Sequence, residues 1–202
     1  IMGKETSQET LAKTMDYVQK IKKTPIVVND SRGFYTSRVF STYTGEGVAM
    51  LAEGIKPALI ENAGKMTGMP MAPLALSDAV ALDLAWKVTT QTKKDFEAEG
   101  KEFPVTPMYS IMEEMVEKQG RFGKKNNKGF YEYPESGKKY LWPELSNLCK
   151  ESDDQPEVDE LKKRFLYIQA LETAKCYEEN VLTDVRDADI GAILGWGMAP
   201  WT

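Results

Sequence analysis

The 202-residue chain contains no histidine. That absence excludes a His-based general acid or base, a Ser-His-Asp triad and a His-ligated metal from within the chain. Cysteine is scarce: Cys149 and Cys176 lack CxxC spacing, so neither a zinc site nor a disulfide framework is indicated, and both read as ordinary thiols. No apolar run approaches the roughly 20 residues of a membrane span, and no signal-peptide pattern is present, so cytoplasm is the expected compartment. A basic surplus is missing as well. The net charge of -5 argues against a general nucleic-acid binder, which needs a basic stripe to exchange for condensed counterions. Composition does not taper at Ile1-Met2-Gly3 or at Pro200-Trp201-Thr202, and the sequence reads as a piece of something longer.

What is present is mostly helical patterning. Leu11, Met15, Val18 and Ile21 recur at helical spacing through residues 5–22, with Thr6 or Ser7 as cap. The β-branched run "TPIVVN" then predicts a strand. In "DSRGFYTSRVF" a long helix follows Gly33, and its first turn carries Tyr35, Thr36, Ser37 and Arg38 before an apolar face begins at Val39 and Phe40. This polar opening is expected to face a cleft. The helix continues through Tyr43, Gly47, Met50 and Leu51 until Gly54 and Pro57 close it. Further helices are predicted from Lys56–Ala58 to Gly68, over "LALSDAVALDLAWKVTTQTKKDF" with Leu76, Val80 and Leu84 on one side, and over "MYSIMEEMVEKQG". "RFGKKNNKGFYEY" reads as a turn into a short extended segment, 134–156 as a polar linker, and helices follow from about Val158 to Glu179 and from about Arg186.

Two helical blocks resemble each other internally. Arg38, Glu46 and Glu53 map onto Arg164, Glu172 and Glu179 at one constant offset, and Met71-Ala72-Pro73 maps onto Met198-Ala199-Pro200 with one residue of slippage. The shared order of long helix, short helix and Met-Ala-Pro turn indicates a duplication whose second copy is truncated. Glu46 and Glu172 project from the apolar sides of their helices, so each needs a partner or a raised pKa. A structural pair with an arginine or with backbone is favoured over a general base, because duplicated positions serve architecture more often than one active centre. Gly120–Gly129 has the glycines of a phosphate loop but not the strand-loop-helix context. Lys118, Arg121, Lys124, Lys125, Lys128, Lys138 and Lys139 outweigh the nearby glutamates, which suits either a phosphorylated ligand or a solvated turn. Met66, Met69, Met71 and Met198 cluster at Gly-Pro turns, as core filler or as a soft lining for an acyl chain.

"KTPIVVNDSRGFYTSRVF", "GMPMAPLALSD" and "RFGKKNNKGFYEY" resemble, in order and spacing, the C-terminal part of 3-hydroxyacyl-CoA dehydrogenases. The second block, ending "ILGWGMAPWT", is similar to the extra C-terminal module of the multifunctional α subunits of fatty-acid oxidation complexes, which join enoyl-CoA hydratase to the dehydrogenase. The resemblance implies a mainly α chain whose helical domain is like the C-terminal domain of 6-phosphogluconate dehydrogenase, duplicated, with the second copy truncated. The last helix and strand of an NAD-binding Rossmann domain would precede it. The implied boundaries are 1–30 for the Rossmann end, 31–133 for the helical domain, 134–157 for a linker and 158–202 for the partial second repeat. In that family an upstream His-Glu pair takes the proton of the 3-hydroxyl while hydride leaves for NAD; here that pair would lie before Ile1.

Carried over by position, Ser37 stands where the family has a substrate-facing Asn, with Arg38 retained. Serine is shorter than an amide and has one donor. Pro70, Met71 and Pro73 match a turn beside the acyl chain, with Ala72 in place of glycine. Leu194 stands where some long forms have a substrate-contacting tyrosine, and Lys125 falls on a lysine that contacts NAD. Acyl-CoA is the implied substrate, a thiolase subunit and a second copy the implied partners, and no metal is implied. Two other readings stand beside this one: a helical module that only assembles the complex, and the helical half of another hydroxyacid or sugar-acid dehydrogenase.

Overall fold

Helix dominates the computed structural model, which describes residues 1–201. In chain order the elements are α1 (Gln8–Lys20), α2 (Thr36–Ala52), α3 (Pro57–Met66), α4 (Pro73–Val80), α5 (Leu82–Ala98), α6 (Pro107–Glu113), β1 (Tyr131–Glu132), β2 (Tyr140–Leu141), α7 (Leu145–Leu148), α8 (Val158–Glu178) and α9 (Val185–Gly191). Proline opens α3, α4 and α6, where the first N–H has no helical partner and a fixed φ suits the helix. The chain divides into two compact units: Ile1–Tyr43 with the chain from Leu166 on, and Thr44–Phe165. Among the described residues no helix is long and apolar enough to cross a membrane.

In the first unit Ser7 caps α1 by accepting the Thr10 N–H at 3.1 Å, as its sequence position suggests. No residue of α1 is buried, and Tyr17 stays well exposed. The run expected as a strand forms isolated bridges, Met2 beside Asn29 and Val28 beside Leu182, in place of a ladder. The Asn29 N–H makes the second of these bridges by donating to the Val181 carbonyl at 2.9 Å, and the pairing goes no further along the run because the Val27 N–H goes to the Asp187 carboxylate at 3.1 Å. The core gathers Val28, Tyr35, Val39, Cys176, Val181, Leu182 and Ala188, with Ile26 and Trp196 packed against them. Gly191 packs closely here, since a Cβ would lie 2.8 Å from the Ile26 Cδ1 atom and 3.0 Å from the buried Tyr35 ring.

The second unit buries Ile60, Leu74, Leu82, Met115, Phe130, Leu145, Leu161 and Phe165. Gly47 lets α2 press onto Pro73, where an added Cβ would come within 2.7 Å of the proline ring. The single helix expected over "LALSDAVALDLAW" is broken into α4 and α5 at Ala81, whose φ of +80° and ψ of 116° no helix accepts. Leu82 donates its N–H to the Phe122 carbonyl at 3.1 Å, fixing the break against the glycine turn. The break also reassigns the faces: Leu82 and Trp86 are buried, whereas Val80 and Leu84 are exposed. The segment expected to be a linker packs onto the end of α2. There the Gly54 carbonyl receives the Ser152 N–H at 2.9 Å, and the Gln155 side chain accepts the Lys56 N–H at 2.9 Å.

Candidate functional site

The polar opening of α2 does not act as one surface. Tyr35 is in the core of the first unit, where its hydroxyl donates to the Ala188 carbonyl at 3.0 Å and its ring meets Trp196 edge-on. Arg38 is held by carboxylates: its Nε donates to Glu172, and its terminal nitrogens donate to the two Glu179 oxygens at 2.6 and 3.0 Å. Ser37 alone is exposed, and its carbonyl receives the Ser41 hydroxyl at 2.7 Å. Thr36 approaches Gly195, so the turn that carries exposed Leu194 is brought against the start of α2.

In the second unit Arg164 repeats the pattern of Arg38. Its Nε donates to Glu46 at 2.6 Å, and its terminal nitrogens donate to Glu53 at 2.6 and 2.8 Å. Glu46 and Glu172 are therefore arginine partners, as the sequence favoured.

Pro70, Met71, Ala72 and Pro73 form the turn from α3 to α4. Pro70 is exposed and Met71 half-buried, while Ala72 and Pro73 are buried. Behind the turn lie two buried carboxylates that the sequence reading did not single out. Glu61 accepts the Leu74 N–H at 2.7 Å, the Ala75 N–H at 3.3 Å and the Tyr131 hydroxyl at 2.6 Å. Asp78 accepts the N–H groups of Phe130 and Tyr131 at 2.8 and 2.9 Å and the Tyr133 hydroxyl at 3.0 Å. Burial pushes both carboxyls up, Asp78 to about 6, against the pull of these donors and of Lys139. Gly123 and Gly129 are required because any Cβ there would collide with Asp78. The available signal was Glu61 four residues after Pro57 and three before Gly64, an acid on the small and apolar side of its helix, of the kind that marked Glu46.

The glycine turn is closed on itself. The N–H groups of Gly123, Asn126, Asn127, Lys128 and Gly129 go to carbonyls of the same segment, and that of Phe122 goes to the Asn126 side chain. Such a loop has few amides left to cradle a phosphate, so the residues present do not by themselves fit a dinucleotide. Lys125 is exposed at its rim and donates to Asp83 at 2.7 Å, which holds that carboxyl below its usual range. Among the described residues, no group of three or more His, Cys, Asp or Glu side chains could hold a metal ion.

The family model for the 3-hydroxyacyl-CoA dehydrogenase C-terminal domain matches residues 33–133. The chain belongs to this family. Solved structures share its architecture. 3-Hydroxybutyryl-CoA dehydrogenase from Escherichia coli K12 superposes with a TM-score of 0.71 at 18% identity, covering 98% of this chain and 58% of its own. (S)-3-Hydroxybutyryl-CoA dehydrogenase from Ralstonia eutropha gives a TM-score of 0.55 at 30% identity, covering 65% of this chain and 45% of its own. The first likeness speaks to fold, and the chain spans only about half the length of either enzyme. Within the 3-hydroxyacyl-CoA dehydrogenase segment lie Ser37, the Pro70–Pro73 turn, Lys125 and the Glu61 and Asp78 clusters; Leu194 lies outside it.

Proposed function

We propose that the chain supplies the acyl-CoA-facing helical part of an NAD-dependent (S)-3-hydroxyacyl-CoA dehydrogenase of fatty-acid β-oxidation, of the multifunctional α-subunit type. The match of residues 33–133 to the family's C-terminal domain carries this reading. Lack of histidine and of a phosphate cradle accords with it, since the proton-abstracting His-Glu pair and nearly all of the NAD site then belong to an upstream domain. Two helical repeats would build the region, and the reciprocal pairing of Arg38 with Glu172 and Glu179, and of Arg164 with Glu46 and Glu53, supports a common origin. The setting would be cytoplasmic, with a thiolase subunit or a second copy as partner.

In this reading the chain's own residues bind and orient. The Ser37 hydroxyl donates one hydrogen bond toward the reacting oxygen. Met71 and Pro70 present a soft apolar edge to the acyl chain, Leu194 adds a second apolar contact, and Lys125 contributes one exposed cation near the cofactor's edge. The test is NADH oxidation with acetoacetyl-CoA. Turnover is expected from the chain continuous with its dinucleotide-binding domain and not from the 202-residue chain; turnover by the shorter chain overturns the division of labour.

A further inference from the structure

The chain enters α2 through a turn with two successive left-handed residues: Gly33 has φ +78° and Phe34 φ +49°. Glycine takes this conformation freely, whereas a bulky side chain rarely does. The Arg38 N–H donates to the Gly33 carbonyl at 3.2 Å, which closes residues 34–37 into one widened turn. Tyr35 points into the core, Arg38 is held by Glu172 and Glu179, and Thr36 is half-buried. Phe34 and Ser37 are the two side chains of this opening left exposed.

A second widened turn in the same unit stands against the first. Residues Ala192–Trp196 form a π-helical turn, closed by the Gly197 N–H on the Ala192 carbonyl, and a Cβ on its Gly195 would lie 3.3 Å from the Thr36 Cγ2 atom. Such turns occur frequently at functional sites. This one leaves Ile193 and Leu194 exposed. An accessible hydroxyl, that of Ser37, is therefore accompanied by apolar groups from both turns, the make-up of a small-molecule site in which apolar walls surround a few orienting polar groups. Phe34 carries its ring on strained backbone and stays 36% exposed. Glycine at this position would make the same turn without strain, so the backbone alone gives no reason for a ring there.

We propose that Phe34 is a specificity-determining residue whose ring bounds the space beside the reacting carbon and turns away 3-ketoacyl thioesters branched at the carbon between ketone and thioester. This rests on the reading above, in which Ser37 reaches the reacting oxygen and Leu194 meets the acyl chain. The ring shares its closed turn with Ser37 and so borders the carbons that flank that oxygen, where an added methyl group competes for its space. One methyl group in an apolar site changes kcat/KM by about tenfold or more.

The test measures kcat/KM of the complete enzyme for acetoacetyl-CoA and for 2-methylacetoacetyl-CoA. Wild type is compared with Phe34→Ala, Phe34→Leu and Phe34→Tyr, and with Ile111→Val as a core control in the other unit. Each protein is read as the ratio of branched to straight substrate, which does not depend on the fraction of enzyme folded. The ratio should rise about tenfold in Phe34→Ala and about threefold in Phe34→Leu, and stay unchanged in Phe34→Tyr and Ile111→Val. Should Phe34→Ala fail to fold, Phe34→Leu decides. A wild type that takes both thioesters equally well, an unchanged ratio in Phe34→Leu, or an equal rise in Ile111→Val overturns the inference and leaves the dehydrogenase reading intact. A ring that only supports the fold lowers both rates together and gives that unchanged ratio. Absence of activity toward both thioesters in the complete wild-type enzyme overturns the dehydrogenase reading itself, and the selectivity role falls with it.

Discussion

Arg164 holds Glu46 through Nε at 2.6 Å and grips Glu53 with its two terminal nitrogens, while Arg38 does the same to Glu172 and Glu179. The inner glutamate of each set is the less exposed one: the Glu46 side chain is 14% exposed and that of Glu53 48%. Removing the arginine strands a largely buried carboxylate, whereas removing the outer glutamate exposes nothing new to a dry environment. Arg164→Ala should therefore lower unfolding free energy by about 2 kcal/mol. Glu53→Ala should cost less than about 1 kcal/mol. The double change Arg164→Met with Glu46→Leu should be milder than Arg164→Ala. Urea denaturation of the three variants checks the order, and equal losses for Arg164→Ala and Glu53→Ala would contradict the burial argument.

Ala81 joins α4 to α5 with φ +80° and ψ 116°, a conformation in which a Cβ is strained. Relief of that strain outweighs the extra unfolded-state entropy of glycine, so Ala81→Gly should stabilise the protein by about 1 kcal/mol. The corresponding rise in Tm is a few degrees. A thermal melt that moves down shows that the strain is absent or already offset.

How far the sequence could be read depends on where each side chain finds its partner. Helices α2, α3 and α8 were legible because apolar spacing, Gly54 and Pro57 act locally. The Glu46 and Glu172 pairs were legible because an acid on an apolar face demands a partner and a matching arginine recurs at the same offset. Asp78 was not, since two of its three donors are backbone amides of Phe130 and Tyr131, which leave no mark on residue identity, and the third, the Tyr133 hydroxyl, lies 55 residues away. Tyr35 was placed in a cleft by its hydroxyl, yet one hydroxyl is satisfied by one carbonyl and the ring then buries like any aromatic. The polar stretch after Pro134 hid its packing for a related reason: the end of α2 is bound through the Ser152 N–H and the Gln155 amide, which composition counts as polar.

Asp78 gives stability an unusual dependence on pH. Burial raises its folded-state pKa from 3.8 to about 6, so across that window the folded state binds more proton than the unfolded state. The contribution of this group is then largest below the unfolded value and declines as pH rises through about 6. Its sign is opposite to that of an exposed, paired carboxyl such as Asp184, which Arg186 holds down at about 2. Asp78→Asn removes the titration while turning an amide donor toward one backbone N–H. The variant should be less stable than wild type at pH 4.5, and the gap should narrow by pH 7. Urea denaturation at both pH values tests this, and a gap that widens toward pH 7 contradicts a raised pKa.

Ser37 separates a catalytic role for this helical region from a purely architectural one. It is exposed at the opening of α2 while both of its charged and aromatic neighbours, Arg38 and Tyr35, are committed to partners within their own unit. The Ser41 hydroxyl donates to the backbone carbonyl of Ser37 and not to its side chain, and Ser37→Ala keeps that carbonyl. The substitution should leave Tm nearly unchanged. If the hydroxyl donates to the reacting oxygen, kcat/KM of the complete enzyme should fall about tenfold, equivalent to roughly 1.4 kcal/mol of transition-state stabilisation. Ser37→Thr, which retains the donor, should recover much of the rate. An unchanged rate in Ser37→Ala assigns the first turn of α2 to assembly of the protein and not to its chemistry.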